Sequence, residues 1–137
     1  MRGASVLIGV AFLAVAFSTA RAAWDPGAFE KEDTLEFLTV GPEEGEHWST
    51  VWLVVLDGQM YIRLGSRAAD RMQRNTTAPF VKVKIAGQQF DRVRAEPVPD
   101  MAPRVAEAIG EKYRSDILVR FFPHPLTMRL VPEPPTP

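Results

Sequence analysis

Between residues 34 and 131 short runs alternate apolar and polar side chains with a period of two, broken by two runs of helical spacing. TLEFLTV (34–40) reads as a first strand with Leu35, Phe37 and Leu38 turned toward a core, and GPEEGEH (41–47) reads as a loop. In VWLVVLDGQMYIRLGSR (51–67) two strands are hinged on Asp57-Gly58, a dipeptide suited to a two-residue turn with positive φ at both positions. That hinge makes facing residue numbers sum to 115. One face then carries Val51, Leu53, Val55, Met60, Ile62 and Leu64, and the other Trp52, Val54, Leu56, Gln59, Tyr61 and Arg63. The first face is wholly apolar. The second is mixed, and it reads as a seam where a ligand or a second subunit meets the sheet rather than as open surface.

Ser66 is a good N-cap for a short helix, RAADRMQRN, whose apolar side is Ala68, Ala69 and Met72. PFVKVKI (79–85) is a strand with Val81, Val83 and Ile85 on one face and Lys82 and Lys84 on the other. After a turn at Ala86-Gly87, Phe90 and Val93 fall out of phase, which predicts a β-bulge or a longer turn. Asp100 is placed to cap a second helix, MAPRVAEAIGEKYR, with Met101, Val105, Ala108, Ile109 and Tyr113 on its core face. DILVRFF (116–122) suits helix or strand, and LTMRLV (126–131) is a last strand. The sum is a mainly β domain with two helices, a small antiparallel barrel of five or six strands.

Composition bounds the chemistry. The chain has no cysteine, which removes thiolate metal sites and cysteine nucleophiles and leaves packing to hold the domain together. Arg2, the apolar run 5–17 and Ala20-Arg21-Ala22 form a secretory signal pattern over residues 1–23, with cleavage expected after Ala22 or Ala23. Uncleaved, the uncharged run from Gly3 to Ala20 would be a short membrane anchor, the one circumstance that predicts a membrane partner. The mature domain is therefore expected to be exported, periplasmic or secreted. Acids cluster in 24–48, read as an acidic lead (24–33) and a solvated arm, while basic residues dominate 63–94 around the hairpin. Residues 132–137 are a Pro-rich tail, and the barrel is assigned to 34–131.

The order of the hairpin around "DG", "YIRLGS", a helix ending "MQRN", "PFVKVKIAG", "VRAEPV" and a helix ending "EKY" resembles the flavin-binding split barrel of the pyridoxamine 5′-phosphate oxidase-like superfamily, in particular small members similar to deazaflavin-dependent nitroreductases. The resemblance implies a homodimer with FMN, or another anionic small-molecule cofactor, in a cleft between subunits, and a flavin-dependent oxidoreductase if the protein is an enzyme. Many such relatives have Trp where this chain has Met72, and they work in the cytoplasm. By position the resemblance gives the flavin phosphate to Arg63, Ser66, Arg67, Lys82 and Lys84, and polar groups near the flavin to Ser49 and Thr50. Physical chemistry supports an anion at a helix start flanked by basic side chains. Alternating Lys and Arg also suit a solvated strand face that protects a sheet edge.

Trp52 and Tyr61 could stack on a flavin ring or line a dimer interface; alternatively Trp52 covers the barrel's end with Arg63 over its ring. Asn75 is expected to cap the end of the first helix. His47 and His124 stand alone in loops, so no metal site is expected, and no nucleic-acid motif accompanies the basic stretch. Two further readings stay open: a binding or structural barrel that has lost the flavin, and a haem-binding split barrel.

Overall fold

The computed structural model describes residues 24–113 and 124–133. Six antiparallel strands close into a barrel in the order β1-β2-β3-β6-β5-β4. They are β1 (Thr34–Gly41), β2 (Gly45–Leu56), β3 (Gln59–Leu64), β4 (Phe80–Ile85), β5 (Gln88–Pro97) and β6 (Leu126–Pro132). Helix α1 (Ser66–Gln73) follows β3, and α2 (Ala102–Lys112) joins β5 to the last part of the chain. The predicted fold class holds. The stretch 116–122 lies outside the described residues.

The Asp57-Gly58 turn forms as read, with φ of 51° and 76° at its two residues. The pairs Leu53–Ile62, Val54–Tyr61, Val55–Met60 and Leu56–Gln59 carry the predicted register. The apolar face turns inward: Leu53, Met60, Ile62 and Leu64 are fully enclosed with Phe37, Val83 and Val93. The bulge expected in β5 lies between the Val81–Val93 and Val83–Phe90 pairs, where β5 carries one residue more than β4.

Several expectations are corrected. Residues 41–47 are not a long loop, because β1 and β2 run on to the Gly41–Gly45 pair and leave only a tight turn. Ser66 is the first helical residue of α1; Gly65 is the N-cap, and no side chain caps it. Asp100 does not cap α2 either, since it sits inside a 3₁₀ turn, Pro99–Met101, that leads into the helix. The acidic lead is no solvated arm. Its Trp24 and Phe29 are buried in the barrel core, packed edge-to-face on Phe90 with ring centroids 4.8 and 6.1 Å away.

Asn75 bridges strands rather than capping the helix. Strands β1 and β4 pair directly only over Glu36–Leu38 and Lys82–Lys84. Farther along, the Asn75 side chain takes the place of the missing ladder bonds. Its Oδ1 accepts from the Val40 N–H at 2.9 Å, and its Nδ2 donates to the Phe80 carbonyl at 3.0 Å. Asparagine carries a donor and an acceptor on one amide, which is what a seam between a free N–H and a free C=O requires.

Helix α2 lies on the outside of the β2–β3 hairpin, with its expected apolar face down. Val105 and Ile109 are buried against Val54 and Tyr61, with Trp52, Leu56, Met101, Ala108 and Tyr113 around them. Its last turn is tied to the start of β1. Lys112 Nζ donates to the carbonyls of Glu30, Glu32 and Leu53 at 3.1, 2.6 and 3.2 Å. Tyr113 Oη lies 2.6 and 2.8 Å from the carbonyl oxygens of Asp33 and Leu53.

Burial, and then the nearby Asp33 charge, push the Tyr113 phenol up to about 12. A raised pKa means that folding favours the protonated phenol, so this contribution is complete below pH 10 and is lost as pH rises toward 12. Lys112, whose pKa burial lowers, acts in the opposite sense over part of that range. Comparing Tyr113→Phe with the parent in alkaline denaturation isolates the tyrosine. The parent is expected to lose stability more steeply between pH 10 and 12, and equal slopes would exclude this role.

Candidate functional site

Strand β2 is long enough to serve two partners, and it parts from β3 midway. Its register with β3 ends at Leu53–Ile62, after which β2 continues along β1 and β3 pairs with β6, with Arg63 opposite Thr127. The barrel is split at this point, beside the start of α1, and α2 crosses the opening.

A cavity of about 280 Å³ occupies the split. One lip is Thr50, Val51 and Trp52 of β2, the other Arg63 and Gly65 with Ala68 of α1, and Ala106, Ile109, Gly110 and Tyr113 of α2 form the roof. Thr34 and His124 complete the lining. The space exists because two roof positions, Ala106 and Gly110, are small and lie one helical turn apart.

The wall is mostly apolar, and among the described residues its one fixed charge is Arg63. Among the described residues Arg63 has no carboxylate within ion-pair distance. Burial holds its pKa below the ordinary arginine value, yet a guanidinium stays protonated in proteins. A half-buried, unpaired cation in an apolar cavity favours an anion in the same space. Trp52 supplies a flat wall, stacked on Tyr113 with ring centroids 4.7 Å apart and planes 13° from parallel.

The residues singled out from the sequence separate into groups. Trp52, Arg63 and Thr50 meet at the cavity, as one shared face of the hairpin requires. Trp52 is stacked on Tyr113, and among the described residues no Arg63–Trp52 ring contact forms. Ser66 and Arg67 are exposed at the start of α1, next to Gly65 of the lining. Ser49 is buried and turned into the barrel, opposite Phe37. Tyr61 is 5% exposed and packed under α2 with Val54, Val105 and Ile109, away from the cavity lining.

Lys82 and Lys84 lie on β4, separated from β3 by β2 and β1. They are therefore not in one cluster with Arg63. Lys84 Nζ sits 4.0 Å above the centre of the Trp48 ring and borders a shallow groove that shares Thr34 and Thr50 with the cavity.

Sequence reasoning missed the roof, and it read His124, which lines the cavity, as standing alone in a loop. The small pair Ala106 and Gly110 was the available signal, but it reads as a space only when something is known to lie opposite. His47 is 3.5 Å from Glu44, away from the cavity. Among the described residues no group of His, Asp and Glu is placed to hold a metal ion.

No family model matches the chain, and no curated protein does. Solved structures do. HutZ, the haem storage protein of Vibrio cholerae, is 19% identical over 80% of this chain and 88% of its own, with a TM-score of 0.58. An F420-H2-dependent reductase is 12% identical over 73% and 94%, with a TM-score of 0.54. An FAD-binding protein of Mesorhizobium loti is 13% identical over 78% and 86%, with a TM-score of 0.51. Identities this low establish shared architecture alone, a six-stranded antiparallel β-barrel flanked by helices.

Proposed function

We propose that this protein binds a flavin, with an anionic group on Arg63 and the ring system near Trp52, and that it works as an exported homodimer. The observation that carries the reading is Arg63, a cation with no ion-pair partner among the described residues in a cavity walled mostly by apolar groups. The volume, about 280 Å³, is just under the roughly 300–1,000 Å³ of sites that enclose a small ligand. It takes the ring-sized part of a cofactor and leaves the remainder at the mouth. Exposed Ser66 and Arg67 stand at that mouth, beside Gly65. A bound flavin supplies electron transfer at its ring; the protein's share is to hold, orient and shield it. The solved neighbours described as an F420-H2-dependent reductase and an FAD-binding protein support the reading through shared architecture.

The test is the visible spectrum of the protein purified from the exported fraction, followed by titration with FMN and FAD. Flavin absorbance is expected, and Arg63→Met should weaken binding by about 1.5–3 kcal/mol, roughly 10- to 150-fold. Unchanged affinity in that variant would remove Arg63 from the site. Amino-terminal sequencing that starts at residue 23 or 24, and a dimer mass by light scattering, test export and assembly.

A second reading is haem. It is favoured by the place of His124 in the cavity lining, where a histidine could meet iron while Arg63 meets a propionate. HutZ gives that reading its architectural precedent. A Soret band lost in His124→Ala would decide for it.

A further inference from the structure

We infer that the ligand is a dinucleotide whose pyrophosphate crosses a hydroxyl-lined saddle at Thr34 and Thr50, between Arg63 on one side and Lys84 on the other. The inference rests on the flavin reading and narrows it from flavins in general to FAD.

The cavity and the neighbouring groove adjoin, because Thr34 and Thr50 line both. Thr50, Glu36 and Lys84 form one row across β2, β1 and β4, each directly opposite the next. Neighbouring strands are about 4.8 Å apart, so the Thr50 and Lys84 backbones are separated by about 10 Å. Arg63 lies beyond Thr50 on the far lip of the split. One phosphate cannot reach both cations at that separation. Two linked phosphates lying over the saddle can, with a long flexible side chain closing in from each end and the threonine hydroxyls donating between them.

Lys84 is available for this role. It is exposed, it has no carboxylate within ion-pair distance among the described residues, and its ammonium rests over Trp48 although Glu36 stands opposite on β1. Gln88 and Gln89 extend the groove past Lys84 with amide groups suited to ribose and base. Glu36 also lines the groove, and its carboxylate opposes an anion there.

The experiment titrates FMN and FAD separately into the parent, Lys84→Met, Glu36→Gln and Arg63→Met proteins. FAD is expected to bind the parent at least about tenfold more tightly than FMN. Lys84→Met should remove that advantage and leave FMN binding unchanged; Glu36→Gln should tighten FAD alone; Arg63→Met should weaken both. Equal affinities in the parent, or equal losses of FMN and FAD in Lys84→Met, would overturn the inference and leave the flavin reading standing. Failure of both flavins to bind the folded parent would overturn the two together.

Discussion

Trp24→Ala is expected to destabilise the domain by about 3–5 kcal/mol, the usual range for truncating a large buried aromatic. For a domain of this size that corresponds to a fall in Tm of more than about 10 °C. The indole is 6% exposed and belongs to the same core as Leu53, Ile62 and Leu64, held edge-on to Phe90 and Phe29. Asp25 fixes the 3₁₀ turn that carries Phe29 inward, its Oδ1 accepting from the Gly27 N–H at 3.1 Å. The lead is therefore a plug in one end of the barrel. Urea denaturation of Trp24→Ala against the parent measures the effect, and a loss under about 1 kcal/mol would show that the barrel closes without it. If cleavage falls after Ala22 or Ala23, folding starts from a chain whose first residues are already core residues.

Ala106→Leu is expected to abolish ligand binding, with a loss of at least about 100-fold, while leaving the fold intact. Ala106 faces the cavity from the middle of α2, and Leu has nearly the helix propensity of Ala. The added isopropyl group goes into open space rather than packed core. Overpacking, which ordinarily costs about 1–3 kcal/mol, is avoided. Apolar surface buried in the cavity contributes stability instead. A thermal melt at or above that of the parent, together with lost flavin absorbance, is the expected pair of results. Retained binding in a stable Ala106→Leu protein would place the ligand elsewhere on the barrel.

Much of the barrel was legible from local pattern. The turn at Asp57-Gly58 is dictated by residues that accept positive φ, and once it is placed the alternation of apolar side chains fixes which face goes inward. The bulge in β5 was visible because Phe90 and Val93 cannot both point inward in an unbroken strand. Helix caps were the weak point. Ser66 and Asp100 have capping chemistry, but the chain enters each helix one or two residues away from where that chemistry predicts. Asn75 was misplaced for a related reason. Its amide is equally able to cap a helix and to stitch two strands, and only the distance between β1 and β4 selects the second.

The mixed second face of the hairpin shows where local reasoning stops. Its composition correctly announced that the face is covered, but not by what. Val54, Leu56 and Tyr61 pack under α2 of the same chain, so most of that seam is intramolecular. Only Trp52 and Arg63, beyond the last β2–β3 pair, are left to line a cavity.

Local pattern was enough for the course of most strands, the principal turn, the inward face and the placing of a tryptophan and an arginine on the same side of a sheet, because each depends on neighbours a few residues apart. Distant contacts set where β2 and β3 part, that α2 roofs the gap, that the amino-terminal tryptophan fills the core, and that Lys84 faces a groove adjoining Arg63's cavity across Thr34 and Thr50. Those outcomes depend on which distant segments share a volume, and side-chain periodicity along a chain carries no record of distance between segments.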